Sequence, residues 1–139
     1  MKKYIVLTLV AAVMVLVQAC GGSDDNPTPG SSTDTNLLKT WKVSQVLENS
    51  LDITAEFTQY RITFAESGTT KTYTLVDRQG TSSNGSWSQS TDGSTITLTA
   101  GGSSVTLTGV TITATQLKYS ADEAGKAGAI NLSFTLIPE

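Results

Sequence analysis

The chain has 139 residues, 38% of them hydrophobic, with one cysteine, no histidine, and nine basic against twelve acidic side chains. This excludes Ser/His/Asp and Cys/His catalytic arrangements, as well as zinc held by its usual ligands. No Lys/Arg stripe or patch is present, so nucleic acid is not expected as a partner.

Lys2 and Lys3 give a positive start, and residues 5–17 form an apolar run broken only by Thr8. That is the composition of a signal-peptide core, and it falls short of the roughly 20 residues needed to cross a bilayer. The run ends at Gln18 and gives way to Ala19, Cys20, Gly21 and Gly22. Val17-Gln18-Ala19-Cys20 resembles the lipobox of bacterial lipoproteins. The resemblance implies a signal peptide over residues 1–19 and cleavage before Cys20. It also implies a diacylglyceryl group on the Cys20 thiol and a fatty acid such as palmitate on the new amine. Several acyl chains on one residue hold a protein on a membrane, where a single chain binds only reversibly. Cys20 is then a lipid anchor, and no thiol remains for a disulfide, so the fold must rest on its apolar core.

Residues 20–36 read as a lipidated flexible tether. From Gly21 onward they hold Gly, Ser, Asp, Asn, Pro and Thr with no large apolar side chain, too little to offset the entropy of ordering. Asp24-Asp25 resembles the acidic export signals that carry lipoproteins of some Gram-negative bacteria to the surface of the outer membrane. The expected location is therefore the outer membrane, lipid-anchored and exposed at the cell surface, with a periplasm-facing arrangement as the alternative. Loss of Lys2 and Lys3 with the signal leaves a net charge of about −5, part of it in the tether.

Residues 37–139 are enough for one core and too few for two. Their periodicity is two. Ser94-Thr95-Ile96-Thr97-Leu98-Thr99, Val105-Thr106-Leu107-Thr108 and Val110-Thr111-Ile112-Thr113 alternate apolar residues with threonine, as strands do when one face meets a core and the other meets water. The same rule predicts strands over residues 40–47, 59–65, 71–78, 85–89, 116–120 and 130–137. Short Gly, Asn, Asp and Ser turns separate them. An all-β fold follows: a small antiparallel up-and-down barrel of about eight strands, or alternatively a two-sheet sandwich.

The predicted inward face carries Trp41, Val43, Tyr60, Ile62, Phe64, Tyr73, Leu75 and Trp87 from the first half. The second half adds Ile96, Leu98, Val105, Leu107, Val110, Ile112, Leu117, Tyr119, Ile130, Leu132, Phe134 and Leu136. Two segments break the alternation. In residues 48–58, Asp52 can cap a helical turn that sets Ile53 and Phe57 on one face, as a plug or lid for one barrel end. Residues 121–129, rich in Ala and Gly, read as the longest flexible loop.

Leu37-Leu38-Lys39-Thr40-Trp41-Lys42-Val43, Tyr60-Arg61-Ile62-Thr63-Phe64 and Gly85-Ser86-Trp87-Ser88, followed by Thr-rich hairpins, together resemble the lipocalin-like domains of bacterial lipoproteins. In lipocalins a Gly-x-Trp opens the first strand and its tryptophan closes one end of an eight-stranded barrel. Trp41 stands at that position, with Lys39 in place of the glycine, and no arginine follows Trp87 to pack on it. The resemblance implies a membrane-anchored, non-catalytic protein whose barrel holds a small hydrophobic ligand. Tyr60, Tyr73, Trp87 and Tyr119 are the candidate lining residues, each with a broad apolar face and a polar tip. The alternative is a structural module of the cell envelope with a filled core, which binds another envelope protein or a glycan by its rim. Glu66 and Asp77, in phase with inward residues of adjacent predicted strands, are a carboxylate pair of the kind that glycoside hydrolysis uses. Both lie at strand ends, where a solvated turn charge is the simpler reading. Asp92, Asp122 and Glu123 lack the spacing of a calcium loop. No catalytic residue, metal or cofactor is expected.

Overall fold

The computed structural model describes residues 33–125 and 128–139. The expected signal peptide, Cys20, the acidic pair Asp24-Asp25 and most of the tether lie outside the described residues. Among the described residues nine strands run in order: β1 Thr40–Glu48, β2 Leu51–Asp52, β3 Arg61–Ser67, β4 Thr70–Val76, β5 Ser82–Gln89, β6 Ile96–Ala100, β7 Ser103–Ile112, β8 Leu117–Gly125 and β9 Gly128–Pro138. From β3 onward each strand pairs antiparallel with the next, and β1 pairs with both β3 and β9. The β1–β9 ladder runs from Trp41↔Pro138 to Glu48↔Leu132. Eight strands therefore close into a barrel, with β2 appended to β1. That closure removes the free edges a two-sheet sandwich would keep, so the barrel reading holds and the sandwich does not.

Strand β1 has a different partner along each half. Its first residues pair with β3 through Thr40↔Thr63 and Lys42↔Arg61, and the pairing goes no further because Arg61 is the first residue of β3. The second half is taken up by β2, through Leu47↔Asp52 and Glu48↔Leu51. Asn49 and Ser50 form the two-residue turn between them, both with positive φ (46° and 75°), as a type I′ hairpin turn requires. The chain then continues along β1: Ile53 N–H donates to the Val46 carbonyl at 3.0 Å, and Val46 N–H donates to Thr54 Oγ1 at 2.9 Å. A 3-10 turn, Thr54–Phe57, follows and buries Phe57. This strap fills the opening left where β1 and β3 diverge. The expected helical turn is thus 3-10. The residue preceding it is Ile53, while the Asp52 carboxylate accepts from Thr54 N–H at 2.9 Å.

Bulges set the inward phase. Register shifts between Val43 and Gln45, so Val46 turns into the core, where it is fully buried. Gly109, at φ 60°, sits in a second shift between Thr108 and Thr111. Val110 and Ile112 there continue the inward face of Leu107 within one strand, where the alternation alone reads as two segments. The expected long loop over residues 121–129 is overturned. The β8–β9 ladder extends through Asp122↔Asn131 and Glu123↔Ile130 to Gly125↔Gly128. Ala and Gly are weak strand formers, but cross-strand partners and an Asn131 Nδ2–H bond to Asp122 Oδ1 of 2.8 Å carry the hairpin outward.

The core is one cluster along the barrel axis, including Trp41, Phe64, Tyr73, Trp87, Leu117, Phe134 and Leu136. Leu37, Val46, Phe57 and Ala121 join it beyond the predicted list. Val105 departs from that list: it is 48% exposed, although it faces the same way as its buried partner Leu98, because it lies near the open end. At the opposite end the 3-10 turn Thr35–Leu37 is capped by Asp34. Leu37 and Trp41 are fully buried there, and Trp41 Nε1–H donates to the Leu37 carbonyl at 3.0 Å.

Candidate functional site: a pocket at the barrel mouth

The inward residues of β8 and β9 descend from the mouth in rows: Glu123 opposite Ile130, Ala121 opposite Leu132, Tyr119 opposite Phe134, then Leu117 opposite Leu136. On the other side of β9, Glu48 of β1 stands opposite Leu132. Two carboxylates thus share the inward face at the mouth with two aliphatic side chains. A pocket of about 230 Å³ opens there, lined by Glu48, Ile53, Glu56, Arg78, Glu123, Ala124, Ile130 and Leu132.

Arg78 reaches this pocket from the β4–β5 turn. The turn is held by Asp77, whose carboxylate accepts from Gln79 N–H at 2.9 Å and from Thr81 N–H at 2.8 Å. Arg78 lies 3.5 Å from Glu56 on the strap and 3.6 Å from Glu123 on β8, with its guanidinium 5.5 Å from the Phe57 ring centroid. One cation therefore ties three separate elements around the mouth.

Beneath the pocket the interior is aromatic. Phe134 stacks on Tyr60 and Tyr119 at centroid separations of 5.2 and 5.0 Å and meets Phe57 edge-on at 5.5 Å. The Tyr60 and Tyr119 hydroxyls are 2.8 Å apart. Burial, which disfavours a phenolate, pushes the Tyr60 hydroxyl up to about 12 and raises Tyr119 as well. Glu123 adds to both shifts through its negative charge, so the rim carboxylate and the tyrosine pair feel one another.

The four sequence candidates fall into two groups. Tyr60 and Tyr119 pair below the mouth. Tyr73 and Trp87 lie toward the other side of the core, where Trp87 Nε1–H donates to the Ala65 carbonyl at 3.2 Å. The Trp87 ring meets Phe64 edge-on at 5.5 Å, and Lys71 Nζ sits 4.8 Å from its centroid. Of the pocket lining, the alternation singled out only Ile130 and Leu132. Glu48 enters the inward face only through the β1 bulge, Ile53 and Glu56 through the strap, and Arg78 through a turn. A charged residue at each strand end was the one visible signal.

Glu66 and Asp77 are not brought together. Glu66 pairs with Lys71 at one end of β4, and Asp77 follows its other end, about 20 Å away at 3.3 Å per residue. That is well beyond the roughly 5–9.5 Å separating the carboxyls of glycosidases. Among the described residues, no group of three or more His, Cys, Asp or Glu side chains is placed to hold a metal ion.

Residues 37–119 match a family model described as a lipocalin-like domain. Among solved structures, a similar chain is zebrafish ileal bile acid-binding protein complexed with cholic acid. It is 12% identical, with a TM-score of 0.44, over 76% of this chain and 100% of that one. No curated protein matches. With a family match across most of its barrel, the chain belongs to the lipocalin-like domain family.

Proposed function

We propose that the barrel is a non-catalytic carrier that takes a small hydrophobic molecule at its mouth, and that lipid on Cys20 tethers it to the outer membrane, facing the cell surface. The observation that carries the binding role is the pocket of about 230 Å³ with Ile53, Ile130 and Leu132 in its walls. Its size is below the roughly 300–1,000 Å³ of pockets that enclose whole drug-sized ligands. The aromatic stack of Tyr60, Phe134 and Tyr119 fills the space beneath. The ligand is therefore small, or enters by one end only, and the tyrosine pair forms the floor that limits its depth.

The test uses residues 21–139, which keep every described residue and lack the lipid site. Native mass spectrometry after mild extraction, followed by titration with a fluorescent alkyl probe, is expected to show saturable binding near one per chain. Ile130→Asp, which puts a charge in the apolar wall, is expected to weaken it at least tenfold. Absence of binding with an intact fold would favour the filled envelope module. The anchor is tested separately: Cys20→Ser is expected to move the protein from the membrane to the soluble fraction, and protease treatment of intact cells to remove the barrel. Survival of the barrel while known surface proteins are cut would place it facing the periplasm.

A further inference from the structure

We infer that the mouth pocket selects ligands with a cationic head, an amine or quaternary ammonium on a short apolar chain, over carboxylates and neutral analogues of the same length. This rests on the pocket being a ligand site. The lining holds three carboxylates, Glu48, Glu56 and Glu123, against one cation, Arg78. Arg78 is already shared between Glu56 and Glu123 and packed against Phe57. An incoming carboxylate would have to displace one of these partners and then stand beside the charge it displaced. Glu48 takes part in no ion pair among the described residues and shares the inward face at Leu132 with the apolar wall. An ammonium group meets the opposite field: Glu48 and Glu123 flank the aliphatic rows of β9 on either side, so a head between them leaves its chain against Ile130 and Leu132. The negative field extends inward as well, since Glu123 acts on the buried hydroxyls of Tyr60 and Tyr119. Like charges close together in a partly desolvated cleft repel strongly, and opposite ones attract.

The experiment compares octylammonium, octanol and octanoate by calorimetric titration of residues 21–139 at pH 7 in low and moderate salt. The expected result is ammonium binding at least tenfold tighter than octanol, with octanoate weakest and the gap narrowing as salt screens the rim. Glu48→Gln is expected to remove most of the ammonium's advantage over the alcohol, and circular dichroism confirms the fold of the variant. Octanoate binding as tightly as octylammonium would overturn the charge selection while leaving the pocket as a hydrophobic site. A Glu48→Gln protein with unchanged selectivity would overturn it too. Failure of all three ligands to bind would remove the pocket reading itself.

Discussion

Tyr60 and Tyr119 share one hydrogen bond of 2.8 Å between hydroxyls that lie 59 residues apart in the sequence and meet inside the barrel. A single Tyr→Phe change at either site leaves the other hydroxyl buried with nothing to bond, at a cost of about 1–3 kcal/mol, whereas replacing both removes the need for a partner. Denaturation of Tyr60→Phe, Tyr119→Phe and the double variant is expected to show the double less destabilised than the two singles combined. Simple additivity would mean that the two hydroxyls do not depend on each other.

The same pair makes stability fall in strong base. Unfolded tyrosine ionises near 10, and Tyr60 in the barrel only near 12, so between these values the unfolded chain has lost a proton that the folded chain keeps. The raised folded value favours the native state below pH 10, and that contribution is lost as pH climbs from 10 toward 12. For Tyr60 alone the loss is about 2–3 kcal/mol, with Tyr119 acting in the same direction. The slope of unfolding free energy against pH in this window is expected to flatten in the double Phe variant relative to the native chain. Equal slopes would show that the hydroxyls are not desolvated.

Strand content was legible because β-branched alternation reports one wet and one dry face directly. Trp41, Ile62, Phe64, Ile96 and Leu98 all lie buried where that alternation puts them. Closure was not legible in the same way, since pairing of β1 with β9 joins residues that no local pattern connects. The mouth was hidden for two physical reasons. The bulge between Val43 and Gln45 flips the phase of β1 without a glycine to mark it, so Val46 and Glu48 point inward where simple counting predicts Gln45 and Leu47. The hairpin above Tyr119 is held by cross-strand register and not by propensity, so its Ala and Gly residues read as a loop, and Glu123 with them.

Lys39 is the departure from the lipocalin pattern that the structure explains. Its Nζ sits 5.1 Å from the Trp41 ring centroid and donates to the Ala114 carbonyl at 3.1 Å, so a cation lies over this tryptophan although no arginine follows Trp87. Trp41 is fully buried, and Trp41→Ala is expected to cost about 3–5 kcal/mol, a large part of the stability of a small domain. Lys39→Ala removes an exposed contact and should cost no more than about 1 kcal/mol. Chemical denaturation of both variants checks this. A Lys39 effect as large as that of Trp41 would make the lysine, and not the packed ring, the main closure of this end.

Gly85 is needed for close approach and not for backbone freedom. A Cβ there would overlap the Thr99 carbonyl oxygen and press on the Tyr73 ring at 3.0 Å, and Tyr73 is its partner on β4. Because the obstacle is backbone, the strands must part to relieve it. Gly85→Ala is expected to lower stability by about 1–3 kcal/mol despite the usual gain in strand propensity over glycine. An unchanged midpoint would mean that β5 and β6 can separate freely.

Arg78 is expected to govern the strap more than the barrel. Its two ion pairs, at 3.5 and 3.6 Å, join groups that are one third or more exposed, and such pairs contribute about 0–1 kcal/mol after solvent screening. Arg78→Gln should therefore change global stability by less than about 1 kcal/mol. The strap has few other ties. Beyond the β2 pairing, it is held by the Ile53 and Thr54 bonds to Val46 and by burial of Phe57, over which the guanidinium lies. Loss of the arginine is expected to speed amide hydrogen exchange at Glu56, whose N–H donates to the Ile53 carbonyl at 3.0 Å, while the amides of the β8–β9 ladder keep their protection. Exchange that rises equally in the strap and in that ladder would make Arg78 part of the global fold. No change at Glu56 would show that burial of Phe57 alone holds the strap in place.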